Sequence, residues 1–345
     1  MRRKWRFLTN LRFFFAYVRK KQYLCSAKGE RTMKKIRIVI MVAALMMAAE
    51  SFGTPWVTKS FLQMVTAPIN KLQKGTCYAD SCEHVIGLPY IAGGNERQVV
   101  DIYYAKENRK NAVVIEVHGG FYVRGMRQNH RPYASVFLKE GYDVVLVEYR
   151  LVDGDSIDVE DQLRDVSAAA DYVTVHAGEL GLNKDRMFIV GSSAGGHLAL
   201  YVAEGSANES LPIRPQFFKP RGVILNCPSY DFASYNSTGL FYPKAMEWFL
   251  GPRYMDSEWM QAMSPRTCFS AYQGPLFVNS SREDFLRSQA LLIMDDCGTS
   301  TRPLEFVFID SKRKKAGHVH NVSNPGLKES IEVNRRMIAF LERWL

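Results

Sequence analysis

From about residue 97 onward the apolar positions fall into short continuous runs, separated by longer stretches with helical spacing. The runs are RQVVDIYYA (97–105), NAVVIEVHGG (111–120), DVVLVEYRLV (143–152), RMFIVG (186–191), GVILNCPS (222–229), PLFVNSS (275–281) and LEFVFIDS (304–311). Their unbroken Val, Ile, Leu and Phe content predicts strands buried on both faces, since a strand with one wet face alternates instead. Between them, residues 131–141, 158–181, 193–205, 285–298 and 327–345 carry the 3.6-residue periodicity of helices. Strands alternating with helices of this length predict the α/β class, a mostly parallel central sheet flanked by helices. Neither an internal repeat nor a low-complexity tract interrupts the pattern after residue 52.

One segment departs from it. Residues 231–263, DFASYNSTGLFYPKAMEWFLGPRYMDSEWMQAM, are dense in Phe, Tyr, Trp and Met and lie between two core strands. Two readings fit: a small cap insertion over the C-terminal edge of the sheet, or a connecting helix with its aromatic face in the core. As a cap it would wall an apolar pocket.

The chain has 345 residues and a formal net charge of +10. Residues 1–51 hold 13 Lys and Arg against Glu30 and Glu50 alone, leaving 32 basic and 33 acidic residues in 52–345. The basic character therefore belongs to the leader, and no nucleic-acid partner is expected for the rest. From Met33 the sequence MKKIRIVIMVAALMMAAESFG has a short basic start, an apolar stretch and then small residues. This is the pattern of a secretory signal peptide, with an apolar stretch short for a membrane span. Residues 1–32 then read as an upstream extension, 33–51 as the signal peptide and 52–345 as an exported domain. The membrane would be met only through an uncleaved leader.

Six cysteines, at 25, 77, 82, 227, 268 and 297, show no CxxC pair and no zinc-ligand spacing. Cys77 and Cys82 are near enough in sequence to close a small disulfide loop in an exported protein, or to be two free thiols.

The segment RMFIVGSSAGGHLALYVAEG carries the chemistry. A strand stops at Gly191, and a helix resumes at Ala194. A Gly-x-Ser-x-Gly turn at that junction lifts the central hydroxyl, Ser193, clear of the sheet, and only small residues at Gly191 and Gly195 leave room for it. Ser192 reads as structural. The strand ending in His118-Gly119-Gly120, followed by Phe121 and Tyr122, offers an oxyanion site. The backbone amides of Gly120 and Phe121, with that of Ala194, are the donors it predicts.

A serine nucleophile needs a base and an orienting acid downstream in the order Ser, Asp, His. Of the histidines past Ser193, His197 sits one helical turn beyond it and reads as structural. His318 and His320 both follow the last strand, and His318 is the preferred base. Asp284, just past the strand at 275–281, is the preferred acid, ahead of Glu283 and Asp310. The loop SKRKKAG (311–317) reads either as a solvated turn or as a basic rim favouring acidic sugars.

The segments VHGGFYVRG, VEYRL, GSSAGGHLAL, Ser264-Pro265, SREDFLRSQA and GHVHNV occur in this order over about residues 85–345. Together they resemble the hormone-sensitive-lipase-like and bacterial feruloyl/acetyl esterase (BD-FAE-like) branch of the α/β-hydrolase superfamily. The resemblance implies an α/β-hydrolase fold and a serine esterase that needs no metal or cofactor. It implies hydrolysis of small acyl esters, acetyl or feruloyl, on small molecules or plant oligosaccharide fragments, with Ser193, Asp284 and His318 as its triad. Phe121 stands where the family has a third oxyanion-motif glycine, and His320 where similar sequences carry an apolar aromatic. Aromatics after His-Gly-Gly also resemble kynurenine formamidases, so an amidase is a second reading. A catalytically silent binding protein of the same fold is a third.

Overall fold

The computed structural model describes residues 76–237 and 249–345. The leader, residues 1–51, lies outside the described residues, as do 238–248 within the insertion.

Eight strands form one sheet: β1 (His84–Pro89), β2 (Val99–Tyr103), β3 (Val113–Val117), β4 (Asp143–Val147), β5 (Met187–Ser192), β6 (Val223–Asn226), β7 (Leu276–Ser281) and β8 (Leu304–Ile309). Their order is β1-β2-β4-β3-β5-β6-β7-β8. β2 runs antiparallel to both neighbours, and every pairing from β4 to β8 is parallel. The α-helices that lie wholly within the described residues are α1 (Arg131–Lys139), α2 (Val159–Val175), α3 (Ala194–Gly205), α4 (Ser257–Ala262), α5 (Arg287–Gly298), α6 (His320–Ser323) and α7 (Lys328–Arg343).

The seven expected strands all form, with ends trimmed by a few residues. Their continuous apolar runs feed two cores. Val113, Ile115, Val117, Val223, Leu225 and Val278 face α2, α3 and α5, whereas Val114, Val144, Leu146, Phe188, Ile224 and Phe277 face α1 and α7. Burial of one such side chain contributes about 1.5–3 kcal/mol.

β1 was not expected. It is an edge strand with mostly exposed side chains, and a bulge at Val85–Leu88 breaks its alternation where Gly87 takes φ 71°. Backbone pairing with β2 holds it, together with the Gly87 N–H donated to Asp101 at 2.7 Å.

α2 begins as the sequence suggests, with Asp158 accepting from the N–H groups of Glu160 and Asp161. It ends at Val175, earlier than the expected 181. The chain then turns, with the Leu182 N–H bonded to the Ala177 carbonyl and Gly181 at φ 64°.

Within 231–263 the described parts are a 3-10 turn at Ala233–Ser237, another at Pro252–Met255, and α4. Arg253 ties the segment to the start of α2, bonding Asp158 at 2.7 Å and Glu160 at 2.5 Å and stacking on Trp259. Cys77 and Cys82 are free thiols, so of the two readings the structure has the second.

Parallel strands share a direction, so the loops after β3, β5, β6, β7 and β8 emerge at one edge. The register pairs Val117 with Gly191 and Ser192 with Asn226. It thereby sets the His118–Tyr122 turn, Ser193 and the β6 end side by side.

Candidate active site

Ser193 is the residue between β5 and α3, with φ 57° and ψ −120°. A non-glycine residue adopts this region only under constraint. The constraint is visible on both sides. The Ser193 N–H donates to the Asn226 carbonyl at 2.9 Å, and the Ser193 carbonyl accepts from the Ser229 N–H at 3.1 Å. A Cβ on Gly191 would collide with the Gly195 backbone, and one on Gly195 with the carbonyls of Val117 and His118. At Gly119 it would lie 2.5 Å from the Ser192 oxygen and 3.0 Å from the Ser193 Cβ. The small residues around the serine are thus required by three backbones converging on it.

His318, in the loop between β8 and α6, accepts from the Ser193 hydroxyl at its Nε2, 2.9 Å away. Its Nδ1 donates to Asp284 Oδ1 at 2.7 Å. The carboxylate fixes the proton on Nδ1 and leaves Nε2 as the acceptor. Asp284, in the turn after β7, also accepts from the Ser280 hydroxyl at 2.7 Å and from the Leu286 N–H at 2.9 Å. Burial by itself would raise its carboxyl. The hydrogen bond and charge of His318, with the Ser280 and Leu286 donors, outweigh burial and hold it below the usual range.

The turn after β3 is strained throughout: Gly120, Phe121 and Tyr122 have φ of 139°, 54° and 65°. It is closed by the Arg124 N–H on the Gly120 carbonyl at 3.0 Å. Gln162 of α2 holds the Tyr122 carbonyl at 2.6 Å. Among the described residues no hydrogen bond occupies the amides of Gly120, Phe121 or Ala194. The Ala194 amide is also the first of α3, where the positive end of the helix dipole favours a negative charge.

His118 supports this turn from below. It is fully buried, stacked on Tyr149 at 4.2 Å, and its Nε2 lies 3.3 Å from Glu148. Burial would raise the Glu148 carboxyl, but His118, Arg97 and the Arg127 N–H hold it below its ordinary value.

The other sequence candidates lie elsewhere. His197 bonds the Met263 carbonyl at 2.7 Å and is driven by burial to a pKa of about 4. His320 is buried against the Ser330 hydroxyl at 2.9 Å. Asp310 pairs with Arg282 at the surface. Glu283 is exposed.

Three contributors escaped the sequence reading. Ser280 braces the acid. Phe285, 57% exposed, covers the His318 ring at 4.1 Å and stacks on Phe121, which also meets Phe249 at 5.1 Å. Cys227, at the end of β6, receives the Val319 N–H on its sulfur at 3.2 Å. The polar pair Ser280-Ser281 on a buried strand was the one available signal. Cys227 with Asp284 and His318 is also the group of possible metal-ligand atoms among the described residues, all within 4.8 Å. Two of the three are already committed to each other by a hydrogen bond, and burial keeps the thiol protonated.

A family model described as BD-FAE matches residues 100–289, more than half of the chain. Esterase B from Lactobacillus rhamnosis superposes with a TM-score of 0.73 at 20% identity, over 88% of this chain and 96% of that one. A truncated carbohydrate esterase from gut microbiota does so with a TM-score of 0.65 at 17% identity, over 79% and 99%. Among curated proteins, the probable isoprenylcysteine alpha-carbonyl methylesterase ICMEL1 of Arabidopsis thaliana is 28% identical over 110 residues, 32% of this chain and 23% of that one. The matched region spans a quarter or less of the length of the first curated relatives, 5% and 23%.

Proposed function

The chain belongs to the BD-FAE family and has the α/β-hydrolase fold, and from that premise we propose that it is a serine carboxylesterase acting on small acyl esters through an acyl-enzyme. The observation that carries this is the unbroken chain from Ser193 Oγ to His318 to Asp284, at 2.9 and 2.7 Å. His318 takes the Ser193 proton as the oxygen attacks the ester carbonyl. Asp284 stabilises the imidazolium that forms. The developing oxyanion is received by the amides of Gly120, Phe121 and Ala194, already turned out of internal hydrogen bonding. The same imidazolium protonates the departing alcohol, and His318 then deprotonates the water that releases the acid.

The substrates we infer are acetyl and feruloyl-type esters, on small molecules or on plant polysaccharide fragments. The family supports this, and so do the aromatic rings of Phe121, Phe249 and Phe285 beside His318. An exported location, from the leader starting at Met33, suits a polymeric substrate.

The test is hydrolysis of p-nitrophenyl acetate, butyrate and octanoate by the full-length protein, with Ser193→Ala alongside. Activity falling with chain length and absent from the variant is expected. Activity that survives Ser193→Ala would refute the nucleophile, and a folded wild type inert on all three esters would refute the esterase.

A further inference from the structure

The C-terminal end of β6 touches every loop of the site. Asn226 receives the Ser193 N–H, and Ser229 donates to the Ser193 carbonyl. Between them Cys227, fully buried, donates its own N–H to the Asn279 carbonyl of β7 at 2.8 Å and accepts the Val319 N–H on Sγ at 3.2 Å. Its sulfur, a carboxylate oxygen of Asp284 and a ring nitrogen of His318 lie within 4.8 Å of one another.

Both partners of that sulfur bond are left-handed, Cys227 at φ 48° and Val319 at φ 46°. A β-branched residue almost never takes such a backbone unaided. It persists only where the surroundings over-determine it. Val319 is the residue immediately after the base, so whatever fixes its amide also fixes the direction in which His318 leaves the chain.

We propose that Cys227 is a positioning residue: its sulfur accepts the Val319 N–H while its S–H points its proton to Asp284, joining the turn that bears the base to the acid. The inference rests on the serine-esterase reading. Burial, and then the neighbouring Asp284 charge, push the thiol well above its ordinary range. The sulfur therefore stays an S–H donor beside the carboxylate rather than a second anion. A donor there favours ionised Asp284, the form that holds His318 in its working tautomer. Alanine removes both contacts. Serine keeps a donor and an acceptor on a shorter side chain.

The experiment compares full-length wild type, Cys227→Ala and Cys227→Ser by thermal melting, by Ser193 labelling with a fluorophosphonate, and by pH profiles of kcat and kcat/KM on p-nitrophenyl acetate. Expected for the folded alanine variant is a kcat lowered about tenfold or more, KM within about twofold, and a displaced acid limb of kcat/KM, with serine restoring most of both. A folded alanine variant with unchanged kcat and unchanged acid limb overturns the proposal. So does equal impairment of alanine and serine, which would mean that only the size of sulfur matters. If alanine does not fold, a folded serine variant that loses the wild-type profile overturns it, and one that keeps it supports it. Wild type that neither turns over nor labels at Ser193 defeats the esterase reading instead, a result distinct from any difference between variants.

Discussion

Phe285 lies parallel to Phe121, with ring centroids 5.6 Å apart and 7° between the planes, and it covers the His318 imidazole. One ring belongs to the oxyanion turn and the other follows the acid directly, so the stack closes the site across the line of the reacting atoms. Phe285 is 57% exposed, so its removal leaves the fold nearly unaffected. An aromatic acyl group can extend the stack, a contact worth about 0.5–1.5 kcal/mol, whereas an acetyl group cannot. Phe285→Ala should therefore lower kcat/KM for a cinnamoyl-type ester about 2- to 12-fold more than for an acetyl ester. Equal losses on both esters would remove the aromatic wall from specificity.

Asp284→Asn keeps the size of the acid while removing its charge. The amide cannot hold His318 with its proton on Nδ1, so Nε2 loses its acceptor role toward Ser193. A kcat lower by about 10⁴-fold, with KM little changed, is expected from steady-state kinetics. A loss below tenfold would show that another carboxylate orients the base.

His197 links acidity to stability. Its pKa is about 4 in the folded chain, because burial beside Tyr122 and Phe232 disfavours the cation by more than the Met263 carbonyl favours it, against 6.5 unfolded. Between those values the unfolded chain binds the extra proton, so stability rises with pH there. The contribution, about 3 kcal/mol, is complete above pH 6.5 and disappears as pH falls through 4. Asp284 and Glu148, both held below their ordinary values, act in the same direction at lower pH. Denaturant titrations at pH 4.5, 5.5 and 6.5 should give His197→Gln a slope shallower by about 1 kcal/mol per pH unit. Parallel slopes would exclude this histidine as the group responsible.

Arg302 and Glu204 form a buried pair at 2.8 Å, with Arg302 stacked on Phe269 at 4.2 Å and donating to the carbonyls of Phe269 and Tyr272. Arg302→Met leaves the Glu204 carboxyl, which burial raises to about 8, without its side-chain partner, and the unsatisfied buried group should cost about 1–3 kcal/mol. Adding Glu204→Gln removes the unpaired acid and should recover part of that loss in the melting temperature. No recovery would mean that the carbonyl contacts of Arg302, and not its charge partner, hold this corner.

Seven strands and five helices were legible because burial on two faces writes itself as unbroken Val, Ile and Leu, and helices as spaced apolar positions. β1 was illegible for the opposite reason: four of its six residues are exposed, and it is held through its backbone, which every residue shares. The serine was legible because three converging backbones leave room only for glycine at Gly191 and Gly195. Its place just past β7 favours Asp284 over Glu283 and Asp310, and Asp284 is the one of the three bonded to His318.

The sequence by itself determined the α/β class, the tight turn that carries Ser193 and a short list for each of its candidate partners, since these follow from local sterics and from periodic burial. Only the tertiary structure decided between His318 and His320. They stand two residues apart after the same strand, and the left-handed turn at Val319 sends one to Ser193 and the other to Ser330. That turn is held by Cys227, 92 residues earlier in the chain, and Phe285 meets Phe121 from a different loop altogether. Such contacts leave no periodic mark, because they depend on which strand ends the sheet places side by side.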